Sequence, residues 1–258
     1  MSSSRIEQPP ASATRLTPPE IGLLAVCVVC LGGFLLVDGD RRHPPPPDFA
    51  SMPIETKKRE FFAYLSPIIS EINFGLAADR RRVQELTAAY QRDEPIGWVD
   101  RRWLGRLAER LDVDTGELTL GEALVLLERR AGIVPESIVL VQAAVESGWG
   151  TSRFALEGNN YFGQRCYRAN CGMAPQGRQG ARFGLARFSS PAASVESYIL
   201  NLNTHESYRS FRELRHRRRV AGDPITGLSL VDGLRNYSER GPEYVAEIAS
   251  MIRDNDLE

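Results

Sequence analysis

Gln142-Ala-Ala-Val-Glu-Ser-Gly-Trp-Gly-Thr151 is the most informative segment of the chain, because it ends an apolar run on one carboxylate, Glu146. The run begins after Pro135, a residue favoured in the first turn of a helix, and stops at Gly148, a residue favoured just past the last turn. Glu146 falls on the same helical face as the apolar positions three and seven residues before it. The pattern predicts a buried helix with a single acid in its last turn.

The position of Glu146 predicts a carboxyl group whose pKa is raised. Backbone carbonyls at a helix C-terminus point towards the side chain and disfavour its negative charge. Apolar neighbours such as Trp149 would raise the pKa further by desolvation. A carboxyl that stays protonated near neutral pH suits general-acid cleavage of an ether-like bond. On position alone the alternative interpretation is a solvated surface glutamate, which is the commoner case.

The rest of the chain has a mainly helical pattern. Apolar residues recur at helical spacing after Pro67, and a second helix is predicted to start at Ser190-Pro191. Thr119-Leu-Gly-Glu122 has the form of a capping box, and a last helix begins at Pro242. Residues 160–188 contain several glycines and alternate in character, which predicts a β-hairpin or loop. The sequence therefore predicts a mainly α fold with one small β-hairpin.

Glu146-Ser-Gly-Trp-Gly150 and the turn Asn160-Tyr-Phe-Gly163 resemble the signature of the bacterial N-acetylglucosaminidases of glycoside hydrolase family 73. Further segments are similar to other parts of this family and of its Bax-like branch: Phe61–Pro67, Phe188–Leu202, Asn201–His205 and Leu234–Tyr244. The resemblance covers residues 59–258 and implies a lysozyme-like α+β fold. It also implies an enzyme that cuts the glycan strands of peptidoglycan.

The resemblance also implies roles for individual residues. It makes Glu146 the catalytic acid of an endo-β-N-acetylglucosaminidase. It places Asn160, Phe162, Tyr198 and Tyr237 on the wall of the substrate cleft, with Tyr237 reaching the sugar at the −1 position. Without the resemblance, each of these aromatic side chains would be interpreted as a core residue.

The chain departs from the family pattern at the second acid. Many members carry a second acidic residue on a β-hairpin after the turn, but residues 158–195 of this chain contain no Asp or Glu. A mechanism with two carboxylates needs a partner across the scissile bond. The nearest acids in sequence are Glu157, Glu196, Asp232 and Glu239. We favour one protein acid assisted by the substrate's 2-acetamido group; a lytic transglycosylase and a non-catalytic peptidoglycan-binding protein are the alternatives.

Residues 21–37 form a run of 17 residues without charge or proline. As a helix the run would be about 25 Å long, which is at the short end for a membrane span. No convincing cleavage site follows it, so we interpret it as an uncleaved transmembrane anchor, with a cleavable signal peptide as the alternative. We predict a single-pass protein of the inner membrane with its catalytic domain in the periplasm, because the implied substrate lies there.

The anchor and the resemblance together divide the chain. Residues 1–20 are rich in serine and proline and are predicted to be a disordered tail. Residues 38–58 are predicted to form a Pro-rich linker, stiffened by its run of prolines. Residues 59–130 are predicted to be a helical N-terminal extension, and residues 131–258 the glucosaminidase-like catalytic domain.

The positions of the cysteines and histidines indicate whether the chain forms a disulfide or binds a metal. Cys166 and Cys171 bracket a tight loop in the predicted hairpin region. In an oxidising periplasm they would form a disulfide that closes this loop, and the alternative is two reduced thiols. The histidines, His43, His205 and His216, are not at metal-binding spacing, so no metal and no cofactor are predicted.

The charge of the chain bears on its partners. The formal net charge is −1, which gives no global basic field of the kind that binds nucleic acid. The run Arg215-His-Arg-Arg-Arg219 is a local exception, and we interpret it as the solvated, cationic end of a helix. The predicted partners are therefore peptidoglycan glycan strands and the membrane, and no nucleic acid. The sequence assigns no protein partner.

Overall fold

The computed structural model describes residues 43–166, 172–174 and 184–258. The predicted tail, the predicted anchor, the start of the predicted linker and Cys171 lie outside these ranges. Within them the fold is mainly helical with one two-stranded hairpin, as the sequence predicts. The elements are, in chain order, α1 (Ile54–Gln91), α2 (Trp98–Arg110), α3 (Leu120–Arg130), α4 (Glu136–Ser147), α5 (Arg153–Gly158), β1 (Arg165–Cys166), β2 (Gly184–Leu185), α6 (Pro191–Thr204), α7 (Arg209–Ala221), α8 (Gly227–Leu230) and α9 (Pro242–Asp254).

Helix α4 carries Glu146 and is the most deeply buried helix of the described chain. Apolar side chains lie on all its sides, and most of its residues are removed from water. It packs against α1, α8 and α9. The helix ends at Gly148, which adopts a left-handed backbone (φ 58°, ψ 48°), so the predicted glycine stop is confirmed. The acid therefore lies at the rim of the core, on a helix that cannot shift independently of it.

Helix α1 spans 38 residues and runs through Pro67, whereas the sequence pattern predicts a helix that starts after this proline. A proline inside a helix removes the hydrogen bond to the carbonyl four residues earlier. Here Pro67 and Ala63, whose carbonyl loses its partner, are both exposed, so water can satisfy the carbonyl. The buried side of the same turns holds Leu65, Ile68 and Ile69, and its packing outweighs the missing bond.

Within the described residues, α1 is also the one helix long and apolar enough to cross a membrane by length and composition. The long core helix of a soluble protein passes the same test. Phe61, Leu65 and Leu76 of α1 are wholly buried in the core, although Phe74 on the same helix is exposed. Helix α1 is therefore placed by its contacts as a core element, and it is distinct from the predicted anchor at residues 21–37.

The folded part of the chain begins within residues 38–58, which the sequence predicts to be a linker. A short 3-10 turn, Phe49–Ser51, precedes α1, and Phe49 is only 1% exposed. Its ring meets the rings of Phe61 and Tyr64 edge-on at 5.4 and 6.1 Å. The Tyr64 hydroxyl donates to the Pro44 carbonyl at 3.0 Å. His43–Glu258 therefore forms one unit, and the packed chain includes residues that composition assigns to a spacer.

Several local predictions are confirmed by the caps of the helices. Thr119 and Glu122 form the reciprocal hydrogen bonds of a capping box at the start of α3. Ser190 caps α6, with Pro191 in its first turn. The last helix, α9, begins at Pro242 as predicted. Each of these signals depends on residues within one turn of each other, which is why the sequence alone predicts them.

The hairpin is small. Strands β1 and β2 pair antiparallel, with Arg165 opposite Leu185 and Cys166 opposite Gly184. A single bridge joins Met173 to Leu185. A Cβ atom added to Gly172 would lie 2.9 Å from the Cys166 sulfur, so the residue after Cys171 is close to that sulfur. The predicted Cys166–Cys171 disulfide involves a residue outside the described ranges and stays a prediction.

The cationic run on α7 is not simply a solvated helix end, because Arg215 is wholly buried. Its guanidinium donates to the carbonyls of Gly132 and Ile133, at 3.1 and 2.9 Å, and to that of Arg129 at 3.0 Å. These carbonyls lie at and just after the end of α3, where helical hydrogen bonds run out. The prediction of a solvated end is therefore wrong at Arg215, which closes the end of a neighbouring helix.

Candidate active site

The carboxyl of Glu146 is half-buried in the last turn of α4 and is held on one side. The hydroxyl of Tyr244 donates to Glu146 Oε1 at 2.9 Å. Burial raises the pKa of Glu146, and the nearby Glu247 carboxylate adds to the rise. The hydrogen bond from Tyr244 and the charge of Arg240 act in the opposite direction. The predicted direction of the shift is thus confirmed, with desolvation as its main cause.

A buried hydrogen-bond chain orients Tyr244 towards the acid. The hydroxyl of Tyr198 donates to Gln142 Oε1, and Gln142 Nε2 donates to the Tyr244 oxygen at 2.9 Å. Gln142 lies one turn before Glu146 on α4 and is wholly buried. Because the Tyr244 oxygen accepts from the amide, its own proton is directed to Glu146. A flipped Gln142 amide would reverse both bonds, because each tyrosine hydroxyl can donate or accept, and it would take the Tyr244 proton away from Glu146.

The second oxygen of Glu146, Oε2, makes no hydrogen bond with any residue that the structure describes. A Cβ atom added to Gly163 would lie 3.9 Å from this oxygen, so Oε2 faces the turn that follows α5. Gly163 itself has a positive φ of 62°, which favours glycine at that position. The geometry divides the carboxyl into an oxygen that accepts from Tyr244 and an oxygen that can carry the acidic proton.

Asn160 lies beneath the groove and not on its wall. Its side chain is 1% exposed, and its amide nitrogen donates to the carbonyls of Gln164 and Ala186 at 2.9 and 3.0 Å. Its oxygen accepts from the backbone nitrogens of Gln164 and Phe162, at 3.0 and 3.4 Å. All its hydrogen bonds are therefore used within the protein. Asn160 is therefore not a wall residue, as predicted, but a buried residue whose hydrogen bonds hold the turn at residues 160–164.

The other three predicted wall residues meet around Glu146. Phe162 stacks on Tyr198, with ring centroids 4.0 Å apart and planes 8° apart. Tyr237 stacks on Tyr244 at 5.4 Å, and its hydroxyl donates to the Phe162 carbonyl at 3.3 Å. Phe162 and Tyr198 are almost wholly buried and form the floor, while Tyr237 is half-buried.

These residues line one groove of about 1270 Å³. This volume exceeds the roughly 300–1,000 Å³ of typical small-molecule pockets. Besides the acid and the aromatic rings, its walls carry hydroxyl and amide groups: Ser197, Asn201, Thr204, Ser207, Asn236 and Ser238. Such groups donate to and accept from sugar hydroxyls. Among the described residues, no three His, Cys, Asp or Glu side chains come close enough to hold a metal ion.

The acids nominated as second carboxylates separate into two classes. Glu196 and Glu239 line the groove, whereas Glu157 and Asp232 do not. Glu157 lies 3.6 Å from Arg153 on α5, within its own helix. Asp232 lies 3.6 Å from Arg235, again a local surface pair. Sequence distance alone could not separate these acids, because the separation depends on which loops reach the groove.

Comparisons with known proteins bear directly on this groove. The model of the glucosaminidase family, described as mannosyl-glycoprotein endo-beta-N-acetylglucosaminidase, matches residues 121–257. The chain belongs to the glucosaminidase family. The chain is 34% identical over 212 residues to Protein bax of Escherichia coli (strain K12), and the match covers 81% of this chain and 74% of that protein. No solved structure gives a significant match.

Membership fixes the general chemistry. The glucosaminidase match runs from α3 to the end of α9 and so includes every element that lines the groove. It indicates a glycoside hydrolase with a glycan substrate, and together with the Protein bax similarity it supports a peptidoglycan-related glycosidase in general terms. Gln142 and Tyr244 were missed as partners of the acid by sequence reasoning. For Gln142 a signal existed, since a polar residue one turn before Glu146 shares its face.

Proposed function

We propose that this protein is a membrane-anchored peptidoglycan hydrolase, an endo-β-N-acetylglucosaminidase that cleaves β-1,4 glycan bonds with Glu146 as the general acid. The observation that carries the proposal is the state of this carboxyl. Burial raises its pKa, one oxygen accepts from Tyr244, and the other faces an open groove. A general acid must hold its proton near neutral pH and release it to a leaving oxygen.

The groove supplies the binding that this chemistry requires. A polymer needs an open channel with groups spaced for several sugar units, and the groove combines polar side chains with an aromatic floor. Tyr237 lines the groove and is half-buried, so part of its side chain is available to the sugar at the bond to be cut. In the reaction Glu146 Oε2 protonates the leaving oxygen as the glycosidic bond breaks. Positive charge develops on the sugar, and the Glu146 carboxylate stabilises it once the proton has left.

The proposal extends to the place where the enzyme works. Residues 21–37 would hold it in the inner membrane, with residues 38–48 as the spacer and the groove in the periplasm. Support comes from the uncharged 17-residue run and from the position of the proposed substrate outside the cytoplasm. Alkaline extraction of membranes from cells expressing the full chain, compared with a chain lacking residues 1–42, tests the anchor. Release of the full chain by alkali would contradict it.

The decisive test of the activity is Glu146→Gln in the full chain, assayed on purified sacculi. Glutamine keeps the shape and can still accept from Tyr244, but it carries no acidic proton. We expect release of reducing sugar to fall by at least about 100-fold, within the range for loss of a general acid. Circular dichroism should be unchanged. Activity like that of the wild type in this variant would reject the role of Glu146.

Mass spectrometry of the wild-type digest separates hydrolysis from lytic transglycosylation. Hydrolysis adds water and leaves a reducing end at the cut. Transglycosylation leaves a 1,6-anhydro end, which lacks that water. We expect reducing ends, and anhydro ends would replace this proposal with the transglycosylase. Sacculi that are bound but left intact by the wild type would instead indicate a non-catalytic binding protein.

A further inference from the structure

The groove holds two carboxyl groups besides Glu146, and they differ in their partners. Glu196 accepts from Arg110 at 2.9 Å, and the same guanidinium also donates to Asp79 at 2.9 Å. The side chain of Glu239 is exposed and makes no hydrogen bond or ion pair with any residue that the structure describes. The carboxylate of Glu196 is held by this cation, whereas that of Glu239 is open to the groove. Glu239 is therefore the better placed of the two to bind a water molecule there.

The segment that carries Glu239 is tied to the acid on both sides. Two residues before it, Tyr237 stacks on the ring of Tyr244 at 5.4 Å. Directly after it, the Arg240 guanidinium lies 5.2 Å from the centre of that same ring. The Tyr244 hydroxyl in turn holds Glu146. Both flanks of Glu239 thus contact the side chain that orients the proton donor.

The backbone of this segment is closed by turns. The nitrogen of Tyr237 donates to the Leu234 carbonyl at 2.8 Å, and the nitrogen of Gly241 donates to the Ser238 carbonyl at 3.0 Å. Gly241 has a positive φ of 52°, and Pro242 starts α9 directly after it. The turn from Ser238 to Gly241 therefore presents Glu239 on a fixed loop, between two anchored ends.

Glu146 and Glu239 line the same groove, so a substrate bound there can meet both carboxyl groups. In inverting enzymes the carboxyl groups lie about 6.5–9.5 Å apart, and the base holds a water across the scissile bond from the acid. A general base in this groove therefore has to lie across the bound sugar from Glu146.

We propose that Glu239 is the general base of this groove and activates the water that attacks the anomeric carbon, a role that rests on the proposed function above. This base takes the place of the substrate's 2-acetamido group, which the sequence alone favours. The water gives a proton to the Glu239 carboxylate while its oxygen bonds to the anomeric carbon. The glycosidic bond breaks with its electron pair on the leaving oxygen, which takes the proton of Glu146. The β bond yields an α hemiacetal, and both side chains regain their starting protonation by exchange with solvent.

The test compares Glu239→Gln with Asp232→Asn in the full chain, on a purified glycan strand. Asp232 is a matched control because it is an exposed acid shortly before the same segment and does not line the groove. We expect Glu239→Gln to lower kcat by about 100-fold or more with KM nearly unchanged, because a base acts on water and not on binding. Asp232→Asn should stay within about twofold, and both variants should melt like the wild type.

Two further readouts separate a base from a residue that merely shapes the loop. Azide should restore turnover to Glu239→Ala and give an α-glycosyl azide, because a small anion can replace the activated water. Proton NMR of the wild-type reaction should show the α anomer first. A first β anomer would indicate participation of the acetamido group and overturn the inference, as would full kcat in Glu239→Gln.

The outcome also separates this inference from the proposed function. If Glu146→Gln is inactive while Glu239→Gln is fully active, the role of Glu239 is wrong and the hydrolase proposal stands. If Glu196→Gln loses kcat and Glu239→Gln does not, the base is Glu196. If the wild type cuts no glycan strand, both proposals fail together.

Discussion

Glu146 and Arg215 are both ionisable groups withdrawn from water at the C-terminal end of a helix, and the two sites treat them in opposite ways. The carbonyls at such an end attract a cation and repel an anion. Arg215 donates to three of these carbonyls and is sealed from solvent. Burial lowers its pKa to about 9, which still leaves it charged at neutral pH. Glu146 is half-buried, accepts from one hydroxyl, and has its pKa raised.

The contrast between the two sites distinguishes a charge suited to proton transfer from one that stabilises the fold. The Arg215 guanidinium donates to three carbonyl groups. It lies at the C-terminal end of α3, where the helix favours a positive charge. The acid is placed where the helix disfavours its charge, and one of its oxygens has no partner among the described residues. An arrangement that opposes ionisation is what a proton donor requires, even though it lowers stability. Three substitutions test this contrast.

The largest expected effect is on the structural site. Arg215→Met removes the cation and leaves buried carbonyls at the end of α3 without donors, so the free energy of unfolding should fall by about 3–5 kcal/mol. Urea denaturation followed by circular dichroism measures it. The matched control is Arg217→Met, an exposed residue of the same helix, with an expected change below about 0.5 kcal/mol. A fall of similar size in both variants would show that burial of Arg215 carries no special weight.

An intermediate effect is expected at Tyr244. Tyr244→Phe removes the donor to Glu146 and leaves the Gln142 amide without its acceptor, so stability should fall by about 1–2 kcal/mol. The hydrogen bond lowers the pKa of Glu146, so its loss raises that pKa further. The acid then keeps its proton to higher pH, and the basic limb of the kcat/KM profile should move upward. Tyr90→Phe, at an exposed tyrosine, is the control; a limb that stays in place would contradict the assignment.

The smallest effect is a gain in stability on removing the acid. The folded pKa of Glu146 lies above that of the unfolded chain, so the folded state binds the proton more tightly and loses stability as pH rises. Glu146→Gln removes this loss, and its melting temperature should exceed that of the wild type at pH 7. The two should converge below the unfolded pKa of about 4.3. Glu157→Gln, at an exposed acid, should show no such gain. Equal melting curves at pH 7 would mean that burial does not disfavour the carboxylate.

Local signals were predictable because they depend on neighbours in sequence. The glycine stop of α4, the capping box at Thr119 and the Ser190-Pro191 start are each set within one turn, and all are confirmed. The family motif also led to Glu146, Phe162, Tyr198 and Tyr237, which the fold brings together. A motif reports which residues recur, so it could not distinguish Asn160, which clasps the turn from below, from the residues that line the wall.

The remaining features depend on contacts between distant parts of the chain. Tyr244 is 98 residues from Glu146 in sequence, and Gln142 is 102 residues from Tyr244. Composition describes Arg215 as one of a run of cations, and only the packing of α7 against the end of α3 buries it. Likewise, Phe49 follows a proline run that predicts a spacer, and its burial depends on α1. Contacts between residues so far apart in sequence are set by tertiary packing, and patterns within a single sequence do not report them.

The aromatic contact at Phe49 has a mechanical consequence. Gly150, with a positive φ of 75°, admits the Phe49 ring so closely that an added Cβ would lie 2.6 Å from it. The Phe49 ring thus packs the segment before α1 tightly against the turn that directly follows α4. A pulling force applied at residue 43 would act on this Phe49–Gly150 contact, and on the turn beside Glu146, before it could unwind the start of α1. Such a force would therefore first strain the contacts next to the groove.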